Sequence, residues 1–139
     1  MAIPKLEGVV RFGSAQTCDV TEIGGGGTVN NINLITTDTD YYPSTATSLF
    51  TTIGDALTAT ALSGTYTVTM SATTGKVTIA ATGITSFTLS WDTTDIRDML
   101  GFTGNLTPTA LSFTSQNQAR GVWLSPVSRT NPAGPDPST

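Results

Sequence analysis

From Thr65 to Trp91 the sequence alternates, apolar then hydroxyl, with a regularity that leaves the backbone little choice. Tyr66, Val68 and Met70 are separated by threonines, Ala72-Thr73-Thr74-Gly75 interrupts, and Val77 and Ile79 resume the same period. Side chains in a strand point to opposite faces in turn, so a two-residue period marks strands with one buried face, and the interruption marks a hairpin turn. After Gly83, a further strand carries Phe87, Leu89 and Trp91 on one face and Thr88 and Ser90 on the other. Composition extends this bias along the chain: threonine fills 29 of 139 positions, and a β-branched alcohol favours the pleated, half-buried surface of a sheet. Residues 41–91 hold only two charges, Asp55 and Lys76, so the outer faces of this body are wetted by hydroxyls.

The flanking segments read differently. Residues 1–27 combine short apolar pairs with Cys18, Asp19 and the run Gly24-Gly25-Gly26-Gly27, and read as an N-terminal arm ending in a flexible hinge. A phosphate-cradling loop would need a following helix and a lysine; Thr28-Val29-Asn30 provides neither. A core domain over 28–124 begins with a strand containing Val29, Ile32 and Leu34 that ends at the Asp38-Thr39-Asp40 turn. Between Ser44 and Leu62 the residues Ala46, Leu49, Phe50, Ile53, Ala56 and Leu57 recur at intervals of three and four, which predicts a helix over 44–62. Gly54 and the threonines weaken that helix intrinsically, so it depends on docking against a sheet.

A short helix over 94–100 has acidic residues at its start and Gly101 at its end, where capping and the helix dipole favour them. Strands follow around Leu111 and Phe113 and through Arg120, Val122, Trp123 and Leu124, and residues 125–139, with four prolines, read as an extended tail. The expected architecture is a β-rich α+β domain: an antiparallel sheet of five or six strands, one packed helix, one short helix, and arms at both ends.

Several chemistries are excluded by what is absent. With no histidine and a single cysteine, the chain has no histidine-based nucleophilic machinery, no ordinary zinc site and no internal disulfide. Asp92, Asp95 and Asp98 stand three apart, which does not match a calcium loop; they read as helix-capping groups. No metal, cofactor or catalytic residue is expected. Six scattered basic residues in a chain of net charge −4 do not form a phosphate-binding footprint, so nucleic acid is not an expected partner. Neither is a membrane, because no stretch approaches the roughly 18 apolar residues a span requires. Cys18, lacking a neighbouring base, reads as a small buried hydrophobe, and Trp91 and Trp123 as core side chains. The candidates for interaction are Tyr41 and Tyr42 as exposed aromatics, and Arg97, Asp98 and Arg120 as polar links within or between chains.

One group of motifs carries a resemblance. The segment Phe87-Thr-Leu-Ser-Trp91, a polar linker, and Ile96-Arg-Asp-Met-Leu-Gly-Phe-Thr-Gly104 resembles a strand-to-helix pattern of structural proteins in tailed bacteriophage particles. Tyr41-Tyr42 before a helix, Gly64-Thr-Tyr-Thr-Val68, Thr74-Gly-Lys-Val77 before the Ile79 strand, and Gln118-Ala-Arg-Gly-Val-Trp-Leu124 are similar too, so the likeness covers roughly residues 41–124. It implies a non-enzymatic virion component made in the cytoplasm of a bacterial host. A capsid decoration or cement protein is the expected role, assembling by its terminal arms and its neutral Thr-rich surface with copies of itself and with other virion proteins. A neck or tail component is the alternative. A receptor- or glycan-binding module of a fibre, using Tyr41 and Tyr42, is the second alternative.

Overall fold

The structure is a computed structural model, and it describes residues 10–41 and 49–119. Seven strands form two antiparallel sheets: β1 (Thr17–Ile23), β2 (Thr28–Asn33), β5 (Ser86–Trp91) and β6 (Leu106–Ala110) in the order β2-β1-β5-β6, and β3 (Thr65–Met70), β4 (Lys76–Thr82) and β7 (Ser112–Gln118) in the order β3-β4-β7. Helix α1 (Leu49–Thr58) precedes β3, and helix α2 (Thr94–Leu100) connects β5 to β6. The β-rich α+β class is as the alternation predicts, but the strands are divided between two sheets. The division occurs at Leu111, where the chain ends its pairing with β5 and begins pairing with β4. Strands that change sheets at a bend are how sandwiches make corners.

The hairpin expected from the alternation is present, with Tyr66, Val68, Val77 and Ile79 buried and Thr65, Thr67 and Thr69 exposed. Phe87 joins the two sheets. Its ring lies 5.2 Å from both Tyr66 and Phe113, edge to face in each case, a geometry that suits the aromatic quadrupole.

Helix α1 buries Leu49, Phe50, Ile53 and Leu57, the apolar stripe read from the sequence. It ends at Thr58, short of Leu62, and residues 44–48 of the expected span lie outside the described residues. Thr58 and Thr60 turn their hydroxyls back onto the carbonyls of Gly54 and Leu57, at 2.9 and 2.8 Å, closing the helix. The helix lies over β3, the outer strand of its sheet. Thr58 Oγ1 accepts the Tyr66 N–H at 2.9 Å, satisfying a backbone donor that an unpaired edge would leave open.

The N-terminal arm is corrected for the residues described. Thr17–Ile23 forms a strand between β2 and β5, and Val10, Phe12, Cys18 and Val20 are buried in the core. The four glycines are a closed turn, because the Glu22 N–H donates to the Gly27 carbonyl at 2.7 Å. Sequence inspection passed over β1 because its third inward position holds Glu22 instead of an apolar residue. The strand expected through Arg120 and Trp123, and the tail from 125 to 139, lie outside the described residues. Among the described residues no helix is long and apolar enough to cross a membrane.

Candidate functional site

Two places gather polar groups: the α2 unit, which contains sequence-selected residues, and a buried carboxylate that sequence reading did not select.

Helix α2 occupies 94–100 as expected, but its capping differs. Neither Asp92 nor Asp95 is shown capping it: Thr93 is the N-cap residue and makes no side-chain cap bond, while the buried Gln16 accepts the Ile96 N–H at 3.0 Å through Oε1. A donor that would be orphaned at the helix start is thus satisfied from the segment entering β1. Asp92 instead accepts from Thr17 Oγ1 at 3.0 Å, fastening β5 to β1. At the C-terminus Gly101 has φ 91°, the left-handed conformation that favours glycine, and donates to the carbonyl of Asp98. Its own carbonyl accepts the Asn117 N–H at 3.0 Å, so the helix end is tied to β7. A Cβ at Gly101 would run into the Asn117 carbonyl oxygen. Trp91 completes the unit: half-buried, it packs on Phe102 at 5.8 Å and donates from Nε1 to the Gly104 carbonyl at 2.9 Å. The residues of the Trp91–Gly104 motif therefore act as one tied joint.

Arg97 and Asp98 pair with each other, Nη2 to Oδ1 at 2.9 Å, with their side chains 27% and 43% exposed. Shallow clefts of about 320 Å³ lie on either side. One is bordered by Arg97, Phe102, Thr103 and Asn117, the other by Arg11, Phe12, Asp95 and Met99, and Asp98 borders both. A part-exposed pair of neighbours like this adds little stability, and its value is as a directional polar contact. The structure thus brings Arg97 and Asp98 together. It does not place Tyr41 with them, and Tyr41 is corrected from exposed aromatic to core residue. Only 2% exposed, it bridges to Val10, while its hydroxyl accepts the Thr36 N–H at 2.6 Å and donates to the Thr36 carbonyl at 3.2 Å. A ring held this way cannot stack on a sugar. Tyr42 and Arg120 lie outside the described residues. Among the described residues no three acidic or thiol groups converge as metal ligands.

The second place is Glu22, only 4% exposed at the inner end of β1. Its Oε1 accepts the N–H groups of Gly26 and Ser63 at 2.6 and 2.8 Å, and its Oε2 accepts the Gly64 N–H and the Tyr66 hydroxyl at 2.9 and 2.6 Å. One carboxylate thus joins the glycine turn, the α1–β3 loop and β3. Burial pushes this carboxyl up, but the Tyr66 hydroxyl and the three backbone donors outweigh it and hold the group below its ordinary range. Tyr66 is pushed strongly up, first by burial and then by its bond to the Glu22 carboxylate. The glycines are required by this packing: a Cβ at Gly26 would stand 2.7 Å from the Ala61 carbonyl oxygen. A lone carboxylate in a β-branched run, two residues before consecutive glycines, was the available signal. Cys18 is fully buried, as expected, and its thiol is pushed up by burial and by the nearby charges of Asp92 and Asp19.

No protein-family model, curated protein or solved structure matches this chain.

Proposed function

We propose that this chain is a non-enzymatic structural component of a tailed-phage particle, a capsid decoration or cement protein that packs against other virion proteins and copies of itself. The observation that carries the reading is the outer face of the three-stranded sheet. There Thr65 pairs with Thr82, Thr67 with Ala80 and Ser112 across three strands, and Thr69 with Thr78 and Thr114. Thr78 and Thr114 share a hydrogen bond at 2.8 Å, and Lys76 is the one charged residue among these three strands. A face wetted by hydroxyls without ionic repulsion stays hydrated alone, yet a neighbour that hydrogen-bonds those hydroxyls covers it at a lower desolvation cost than a charged face would impose. Single domains that remain apart usually carry more charge on such a face. The joint built from Trp91 to Gly104 supports the same reading, since it gives the segment that resembles phage structural proteins a definite architectural role.

The experiment is a count of this chain in density-purified particles of the phage that encodes it. A fixed stoichiometry of many copies per particle, retained through a high-salt wash, is expected. Its absence from particles while abundant in the lysate would overturn the proposal.

A further inference from the structure

Two segments that meet at Glu22 lie beyond the strand ladders. The β1–β5 pairing ends at Ile23 with Ser86, and the β3–β4 pairing ends at Thr65 with Thr82, so neither reaches the glycine turn 24–27 or the loop 59–64. Among the described residues, the turn is fastened by two hydrogen bonds: the Gly26 N–H donates to Glu22 Oε1, and the Gly27 carbonyl accepts the Glu22 N–H. The Ser63 and Gly64 N–H groups of the loop end on the same carboxylate, one on each oxygen. Each segment is thus held by one side chain that belongs to neither.

Packing couples the two segments directly. Gly26 lies against the Ala61 carbonyl and the Leu62 backbone, and half-buried Ile84 of the turn 83–85 lies against both Gly25 and Gly64. Buried Leu62 is the one large apolar side chain that the loop contributes to the core. Electrostatics couples them again. The four bonds to Glu22 are strong because the carboxylate is shut away from water, and lifting either segment admits water to it and weakens the bonds that hold the other. A state with one segment lifted and the other in place keeps a buried charge with only part of its donors, which is costly.

We infer that Glu22, the glycine turn and the loop 59–64 form a single latch between the two sheets, which opens as one unit while the strands of both sheets stay paired. Few buried apolar contacts and a handful of hydrogen bonds to one residue mark segments that open well before the whole domain does. Opening uncovers Leu62 and Tyr66, and with Tyr66 one side of the edge-to-face contact with Phe87 that joins the sheets. The strand ladders contain none of the bonds that are lost, so the body keeps its architecture in the open state. This is the place where the fold can change shape without unfolding. The latch belongs to the chain by itself, whether or not the chain is part of a particle.

The test is amide hydrogen exchange of the full chain, followed residue by residue by NMR at neutral pH, with and without urea below the unfolding transition. Gly26, Ser63 and Gly64 lie on segments far apart in sequence, yet their protection factors should agree within about threefold and share one shallow urea dependence. Ala81, whose N–H donates to the Leu111 carbonyl at 2.9 Å, and Val77, whose N–H donates to Ser115 Oγ at 2.9 Å, should be at least about tenfold better protected and respond more steeply to urea. Two variants carry a perturbation across the latch. Leu62→Ala alters the loop alone and should speed exchange at Gly26 by the same factor as at Ser63 and Gly64. Tyr66→Phe removes a donor from Oε2 and should speed exchange at Gly26, whose bond is to Oε1. Exchange at Gly26 that differs from that of Ser63 and Gly64 by more than tenfold, or that neither variant moves, would overturn the latch as a unit. Equal protection and equal urea dependence at Gly26 and Ala81 would overturn it too, because this end would then open only when the whole domain does. If either variant fails to fold, the wild-type comparison decides alone.

Discussion

Replacing Glu22 with glutamine removes a charge from a site built to receive one. The carboxylate serves four donors, two on each oxygen, and an amide can keep only one acceptor oxygen. If the amide nitrogen takes the Oε2 position, the Tyr66 hydroxyl can rotate and accept, but the buried Gly64 N–H cannot. One orphaned buried donor costs about 1–3 kcal/mol, and exchanging charge-assisted bonds for neutral ones adds roughly another 1 kcal/mol. The expected loss is therefore about 3 kcal/mol, a large part of the 5–15 kcal/mol typical of a whole domain. Glu22→Ala strands all four donors and should come close to preventing folding.

The pH dependence gives a second, independent sign. Folding holds this carboxyl below the 4.5 at which it ordinarily titrates, so its contribution is fully present above that value and is lost as pH falls through the folded-state value. Urea unfolding of wild type and Glu22→Gln should show a gap that is widest near pH 7 and narrows steadily below about pH 4.5. Equal unfolding midpoints at pH 7, or a gap that stays constant to pH 3, would refute the carboxylate as the tie between the glycine turn and β3.

Three further outcomes follow from the geometry. Gly101→Ala must adopt a left-handed backbone costing about 1–2 kcal/mol and also displace the Asn117 carbonyl, so a total of roughly 3 kcal/mol is expected in chemical denaturation; a loss under about 1 kcal/mol would contradict the close tie between α2 and β7. Gln16→Leu preserves bulk but removes the acceptor for Ile96, and should lower stability by about 1–2 kcal/mol, visible as a drop of several degrees in Tm. The Cys18 thiol, buried and pushed up, should react with an aromatic disulfide reagent at neutral pH only as fast as the chain unfolds; labelling within seconds of mixing would place it elsewhere.

Where the sequence was legible, one kind of physics dominated. The 66–79 hairpin and the Phe87–Leu89 strand were readable because each inward position is apolar and each outward strand position, Lys76 apart, is a hydroxyl. Helix α2 was readable because Asp95 and Gly101 occupy the positions that helix ends favour. The stripe on α1 was readable, but its C-terminal end was not: apolar Leu62 continues the pattern in sequence while serving a loop in space. Strand β1 was hidden because Glu22 replaces an apolar residue, with a hydrogen-bond network standing in for hydrophobic contact. Likewise Tyr41, which adjoins a polar turn and looked exposed, is drawn inward by a bridge to Val10, 31 positions earlier. Gln16 as a helix cap had no local signal at all, since its partner lies 80 residues away. Of the sequence-selected candidates within the described residues, Arg97 and Asp98 are the two that the structure brings together, and adjacency in sequence already made them neighbours.

Direct imaging of purified particles tests most closely the proposed role of this chain as a repeated structural unit of a phage particle. A reconstruction from electron cryomicroscopy should contain this two-sheet domain at symmetry-repeated positions on the capsid exterior; repeated copies at the neck or tail would keep the structural role and move its place. A map in which every ordered density is accounted for by other chains, with this protein confined to the infected-cell lysate, would contradict the account.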